Sequence, residues 1–289
     1  MNRLPIELVR RYDRPGPRYT SYPTAPQFRD DFGPAELAAE LARTNEGEPA
    51  APISLYVHLP FCRSLCWFCA CNVVLTSRRG RIDEYLEVLD REIDAVARLV
   101  RSDRPVVQSH WGGGTPSYLS PDQMAALMRR LRDRFPFAGD AEVSVEIDPR
   151  EVSAAHFDRL AEVGVNRISM GVQDFTPEVQ EAIHRVQPLD TTRRAIDWAR
   201  ERGIASVNID LIYGLPHQTE ATFERTLETT LDLSPDRIAL FNYAHVPWLK
   251  KHQEMIRTED LPAPDTKLRI LARAVERLGD AGYVFIGMD

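Results

Sequence analysis

Four cysteines, Cys62, Cys66, Cys69 and Cys71, fall within ten residues, in FCRSLCWFCAC, and the rest of the sequence contains none. Bunched so closely, they could close only very small disulfide loops, which constrain an unfolded chain little. The spacing C-x3-C-x2-C-x-C instead gathers soft thiolates on one short loop, the ligand type that iron–sulfur clusters take. Three of them can cover one face of a 4Fe–4S cube, each holding one iron. A fourth protein ligand exists only if the one-residue spacing lets Cys71 bend inward. A structural zinc site would pair two separated C-x2-C or H-x-H units, and there is no second unit. Iron–sulfur is the favoured reading, with zinc and unliganded thiols as the alternatives.

Other residues suited to chemistry lie in or just after apolar runs. Three glycines in HWGGGTP (His110–Pro116) allow backbone to approach a ligand where side chains would block it; the alternative is a tight turn between strand and helix. Glu146 in VSVEIDP and Asp210 in VNIDLIYG each interrupt an apolar run, where an unsatisfied polar group is costly. Each is either a ligand-facing acceptor or the partner of a structural arginine. His58, His110 and His184 read as ordinary hydrogen-bonding histidines near the site rather than metal ligands or bases.

These residues need a frame. Strands are expected at Ile53–Leu59, Val106–Trp111, Glu142–Asp148, Val165–Val172, Ser206–Gly214, Arg237–Tyr243 and Tyr283–Gly287. Their near-continuous apolarity suits a parallel sheet buried on both faces. Helices are expected near Arg81–Arg101, Thr191–Arg202, Glu220–Leu233 and Asp265–Ala281, with Ser120-Pro121, Ser153 and Thr176-Pro177 as helix starts. Strand and helix in alternation give right-handed βαβ units. Six or seven such units can close, partly or wholly, into a barrel with its site at the strands' C-terminal ends; an open doubly wound sheet is the alternative. Residues 1–50 form an N-terminal arm, in which RYDRPGPRYTSYPTAP has neither helical nor strand period, and 51–289 form the α/β core.

Composition narrows the function. The 289 residues carry 36 Lys plus Arg against 43 Asp plus Glu, a formal charge of −7, so sequence-independent nucleic-acid binding lacks its basic footprint. No apolar run is long enough to span a bilayer, and the N-terminus has no secretory apolar core, so a cytoplasmic protein is expected. The cations are almost all arginine; Lys250, Lys251 and Lys267 are the three lysines.

The segment Cys62-x3-Cys66-x2-Cys69, with Phe68 before the third cysteine, resembles the cluster loop of the radical S-adenosylmethionine superfamily. Pro15–Ala25, Leu55–Asn72, His110–Leu119, Val143–Arg150, Asn166–Phe175, His184–Pro188 and Asn208–Thr219 sharpen this to a resemblance to the oxygen-independent coproporphyrinogen III oxidase (dehydrogenase) family. It implies a partial (β/α) TIM-like barrel of parallel strands. It also implies a 4Fe–4S cluster on Cys62, Cys66 and Cys69, with Cys71 outside the ligand set, and two molecules of S-adenosylmethionine. Tyr56, Gly113 and Glu146 would contact the molecule on the cluster. Phe68, Gly114, Thr115, Gln173, Arg185, Asp210 and Ala244 would contact the second. No residue is singled out as a catalytic acid or base.

The implied reaction is anaerobic oxidative decarboxylation of two propionates of coproporphyrinogen III to vinyl groups, giving protoporphyrinogen IX of haem biosynthesis. A 5′-deoxyadenosyl radical derived from S-adenosylmethionine would start it. An electron donor such as flavodoxin or ferredoxin and a monomeric state are implied as well. Arg18 and neighbouring arginines of the arm are candidates for the substrate carboxylates. The family's C-terminal domain is expected to be missing, since the sequence stops at FIGMD (Phe285–Asp289). Two other readings are a haem chaperone of the same superfamily without oxidase activity and a plain ferredoxin-like electron carrier. Cys71 and the PGPRYTSYP segment argue against the first, the GGGTP loop against the second.

Overall fold

The computed structural model describes residues 6–12, 24, 27–47 and 51–287. Six strands form one all-parallel sheet whose spatial order follows the chain. They are β1 (Ile53–Leu59), β4 (Val106–Gly113), β5 (Phe137–Ile147), β6 (Arg167–Gln173), β7 (Ser206–Tyr213) and β8 (Arg237–Asn242). A doubly wound sheet reverses direction at a switch point, whereas this one never does, so the chain winds as a partial barrel. Two further two-residue strands, β2 (Phe61–Cys62) and β3 (Val74–Leu75), pair with each other and bracket the cysteine loop.

Helices cover the outer face: α3 (Arg79–Ala97), α4 (Pro121–Arg134), α5 (Ala154–Glu162), α6 (Pro177–Ala182), α7 (Leu189–Glu201), α8 (Glu220–Leu233) and α9 (Pro264–Asp280). Ser120 starts α4 as its pattern predicts: the Ser120 hydroxyl accepts from Gln123 N, and the Gln123 side chain caps Ser120 N in return. Ser153 and Thr176 also stand at helix starts; Ser153 N donates to His156 Nδ1 at 3.1 Å, while Thr176 makes no side-chain cap bond.

Along each strand the two-residue period sorts the side chains. Val57, Trp111, Val145, Ile147, Ile168, Met170, Ile209 and Leu211 are buried in the main hydrophobic core. On the opposite face, cross-strand pairs run Tyr56–His110, His110–Ser144, Glu146–Ser169 and Gly171–Asp210, a polar row on the concave side.

Two expectations need correction. Tyr283–Gly287 is not a strand: it follows α9 as irregular chain with Val284 and Ile286 exposed. An apolar run becomes a strand only where a neighbour completes its ladder, and β8 is paired with β7 alone. Among the described residues of the first fifty are two helices, α1 (Ile6–Tyr12) and α2 (Pro34–Thr44). Helix α2 is tied down after its end, where Asn45 Nδ2 donates to Leu99 O and Arg104 Nη1 donates to Asn45 Oδ1. The RYTSYP segment and Arg18 lie outside the described residues.

Phe157 of α5 is fully buried in the core. Replacing it with alanine should cost about 3–5 kcal/mol of unfolding free energy, measured by denaturant titration; a loss below 1 kcal/mol would contradict its placement.

Candidate functional site

The cysteine loop leaves β1 at the sheet's C-terminal edge and is bound to the turn after β4. Gly114 N donates to Leu59 O at 2.9 Å and Thr115 N to Phe61 O at 2.8 Å. A side chain at 114 would put its Cβ 2.5 Å from Pro60 O, so only glycine lets the two loops lie this close. Gly113 has φ +119°, a backbone region open to glycine. The Gly114 and Thr115 amides are therefore used in holding the cysteine loop, while both residues line the cavity beside it.

The far side of the loop is held by other elements. Trp67 N donates to Ile183 O, and the Trp67 ring stacks on His184 with centroids 5.1 Å apart. Gln253, fully buried, donates from Nε2 to Phe68 O at 3.0 Å and to Ala244 O at 3.2 Å. His252 Nε2 lies 2.6 Å from Cys69 O. Nothing in the sequence around Gln253 signalled this role.

Inside the rim is a cavity of about 310 Å³. Cys62, Cys66, Cys69 and Cys71, with Phe68, Gly113, Gly114 and Thr115, line it together with Glu146, Gln173, Arg185 and Asp210. Tyr56 and Ala244 do not line it. Tyr56 is largely exposed on β1, stacked on His110, with its hydroxyl 3.1 Å from His58 Nδ1. Ala244 lies in the loop after β8, joined to the site through Gln253. The histidines act as hydrogen-bonding groups: His58 Nε2 meets Asn72 O, His110 Nε2 meets Glu146 Oε1 at 3.2 Å, and His184 Nδ1 meets Leu65 O.

Charge is distributed unevenly across the cavity. Burial, and then the neighbouring Glu146 carboxylate, push Asp210 up to about 7, against hydrogen bonds from Asn208 and Ser169. Burial opposes ionisation of Asp148 too, but Arg185 and Arg150 overcome it and hold that carboxyl down at about 2. Arg185 is buried; it donates to Asp148 at 3.0 Å and to Gly171 O at 2.5 Å. Asp148 and Arg150 were present in the VSVEIDPR motif but not recognised as site residues; an acidic and a basic residue two apart after a strand was the available signal.

The donors fit an iron–sulfur cluster. Four thiols from one loop, those of Cys62, Cys66, Cys69 and Cys71, line the same cavity, a set of soft ligands of the kind such clusters take. The Thr115 hydroxyl lies 3.4 Å from Cys62 Sγ. Burial pushes the Cys62 thiol up to about 11. Hydrogen bonding with Cys71, together with burial, raises Cys69, and the same bond lowers the exposed Cys71. The cavity also suits a polar organic ligand: among the described residues, buried Gln173 Oε1 and Arg185 Nε have no hydrogen-bond partner, and Gln173 holds a left-handed backbone, φ 71°.

A raised carboxyl pKa makes stability fall as pH rises from the unfolded value, about 3.9, through the folded one. Thermal unfolding should therefore show wild-type protein losing stability relative to Asp210→Asn between about pH 4 and pH 7, with no further relative loss above. A difference that does not change with pH would contradict the raised value.

The family model for the radical SAM superfamily matches residues 56–230. The oxygen-independent coproporphyrinogen III oxidase of Escherichia coli K12 is 48% identical over 98% of this chain, which covers 61% of that protein. Its counterpart from Helicobacter pylori J99 is 46% identical over 100% of this chain, which covers 64% of that protein. The chain thus spans a little over three-fifths of these relatives' lengths. The solved structure of coproporphyrinogen III oxidase from Escherichia coli, described as a radical SAM enzyme, superposes with a TM-score of 0.89 over 94% of this chain and 61% of that one. With a parallel partial barrel, a three-cysteine loop at its edge and a match over more than half its length, the chain belongs to the radical SAM superfamily.

Proposed function

We propose that this chain carries out the oxidative decarboxylation of two propionates of coproporphyrinogen III to vinyl groups, giving protoporphyrinogen IX without oxygen. The observation that carries the reading is the 48% identity to a protein of that name across nearly the whole chain, cluster loop and cavity included. In this reading Cys62, Cys66 and Cys69 hold a 4Fe–4S cluster and Cys71 stands outside the ligand set. When bound there, the cluster and S-adenosylmethionine would supply one-electron radical chemistry, which side chains alone do not offer.

The chain's own residues orient and shield. Glu146, an acceptor at the cavity wall, is placed to take hydrogen bonds from the methionine ammonium group. Asp210, in hydrogen-bonding contact with Asn208 and Ser169, is placed for ribose hydroxyls. Gln173 and Arg185, which line the cavity, each carry a partnerless polar atom that a second S-adenosylmethionine would satisfy. Phe68 and Gly114 pack the wall and exclude water. Tyr56 and Ala244 would reach these ligands only from outside the described cavity.

A larger adjoining hollow of about 770 Å³ shares Leu65, Cys71 and Val73 with the site. Two of the three lysines in the whole sequence, Lys250 and Lys251, line it alongside aliphatic Val74, Leu75 and Leu249. That pairing of cations and apolar surface suits an amphiphilic tetracarboxylate, and it offsets locally the net charge of −7. We further assign a flavodoxin- or ferredoxin-type reductant, a monomeric state and a cytoplasmic setting. No helix among the described residues is long and apolar enough to cross a membrane.

Anaerobic reconstitution with iron and sulfide tests the reading. Supplied with S-adenosylmethionine and a reductant, the protein should release 5′-deoxyadenosine and convert coproporphyrinogen III to protoporphyrinogen IX. Release of 5′-deoxyadenosine with no protoporphyrinogen would remove the oxidase assignment while keeping the radical one. Cys66→Ser should lose both the cluster and 5′-deoxyadenosine formation; retained cleavage would refute the ligand assignment.

A further inference from the structure

The geometry points to Arg150 and Arg185 as a cationic cradle, set by Asp148, that hydrogen-bonds the Cys66 sulfur and raises the cluster's reduction potential. The inference rests on the proposed cluster at Cys62, Cys66 and Cys69. Arg150 Nη2 lies 3.7 Å from Cys66 Sγ and Arg185 Nη1 lies 3.6 Å from it. The other two cysteines have different company: the neutral Thr115 hydroxyl beside Cys62, and Cys71 beside Cys69. Cys66 is thus the cysteine to which guanidinium groups are directed.

Asp148 organises the pair. Its carboxylate accepts from Arg150 Nη2 at 2.7 Å, Arg150 Nε at 3.0 Å and Arg185 Nη1 at 3.0 Å. Arg150 N donates to Asp148 Oδ1, and Asp148 N donates to the buried Ser117 hydroxyl, so the carboxylate cannot swing away. Arg185 Nη2 is fixed on Gly171 O. In each arginine one terminal nitrogen, Arg150 Nη2 or Arg185 Nη1, is shared between Asp148 and the Cys66 sulfur, and a second nitrogen, Arg150 Nε or Arg185 Nη2, anchors the guanidinium.

The charges give the direction of the effect. Two guanidiniums and one carboxylate leave one net positive charge beside Cys66, with the Arg185 and Asp148 side chains each 8% exposed. Reduction adds an electron to the cluster and negative charge to its sulfurs. Donors and cations around a ligating sulfur favour that added charge, more strongly where water is excluded. Arg150 and Asp148 therefore act through Cys66 as positioning residues for electron uptake.

An EPR-monitored redox titration of the anaerobically reconstituted chain, without S-adenosylmethionine, tests this. Arg150→Gln should lower the reduced-to-oxidised ratio at fixed potential at least tenfold, a midpoint shift of 59 mV toward more negative values for a one-electron couple. Arg150→Lys keeps the charge and should fall between this variant and wild type. Asp148→Asn keeps the side chain's shape but removes a negative charge, and should shift the ratio the opposite way. Opposite signs are what a merely structural disturbance would not give. If Arg150→Gln fails to retain iron, the Lys and Asn variants decide the question by the same ordering. Ratios within twofold of wild type, or all shifts of one sign, would overturn the inference and leave the cluster assignment standing. A wild-type chain that retains no iron and sulfide would instead remove the cluster assignment beneath it.

Discussion

The site depends on keeping one short loop rigid while its side chains face inward. From Cys62 to Cys69 the loop has too few residues to form regular structure, so its backbone groups must be satisfied from outside. Many are: Thr76 N donates to Cys62 O, Trp67 N to Ile183 O, and Gln253 and His252 reach Phe68 O and Cys69 O, while the Gly114 and Thr115 amides anchor the flanking Leu59 O and Phe61 O. The β2–β3 pairing closes the base, with Val74 N donating to Pro60 O. Four separate regions of chain hold the loop, and the close approach at Gly114 is the contact no larger residue would permit.

The barrel supplies the second requirement, a polar interior that stays soluble in an apolar sheet. Apolar residues at alternate positions of β4 to β7 pack under the helices, and the concave face between them carries His110, Ser144, Glu146, Ser169, Asn208 and Asp210. The two carboxylates have local partners: Asn208 and Ser169 for Asp210, His110 for Glu146. Burying Asp210 is tolerable because it is hydrogen-bonded, and among the buried atoms left partnerless, Gln173 Oε1 and Arg185 Nε lie on residues that line the cavity. Charge is partitioned as well. Acidic groups occupy the wall of β5 and β7, while the arginines gather around Asp148 beside Cys66.

How much of this was legible in the sequence differs residue by residue. Ile53–Leu59 and Glu220–Leu233 could be bounded from apolar pattern and caps alone, because local periodicity and burial coincide there. Tyr283–Gly287 has the same pattern and is not a strand, because pattern does not provide a partner. That Arg185 is buried was not legible, because its burial depends on Asp148, thirty-seven residues earlier in the chain.

The sequence by itself determined the chemistry on offer: three thiols at fixed spacing, a glycine run, and carboxylates set into apolar strands. Those follow from residue identity and neighbours a few positions apart. Only the tertiary structure decided that the Gly114 amide serves the cysteine loop, that Tyr56 and Ala244 stand outside the cavity, and that Asp148 gathers two arginines onto Cys66. Hydrogen bonds and charge pairs act over a few ångströms of space, and distances of that kind between residues far apart in sequence are set by how the strands stack into the sheet.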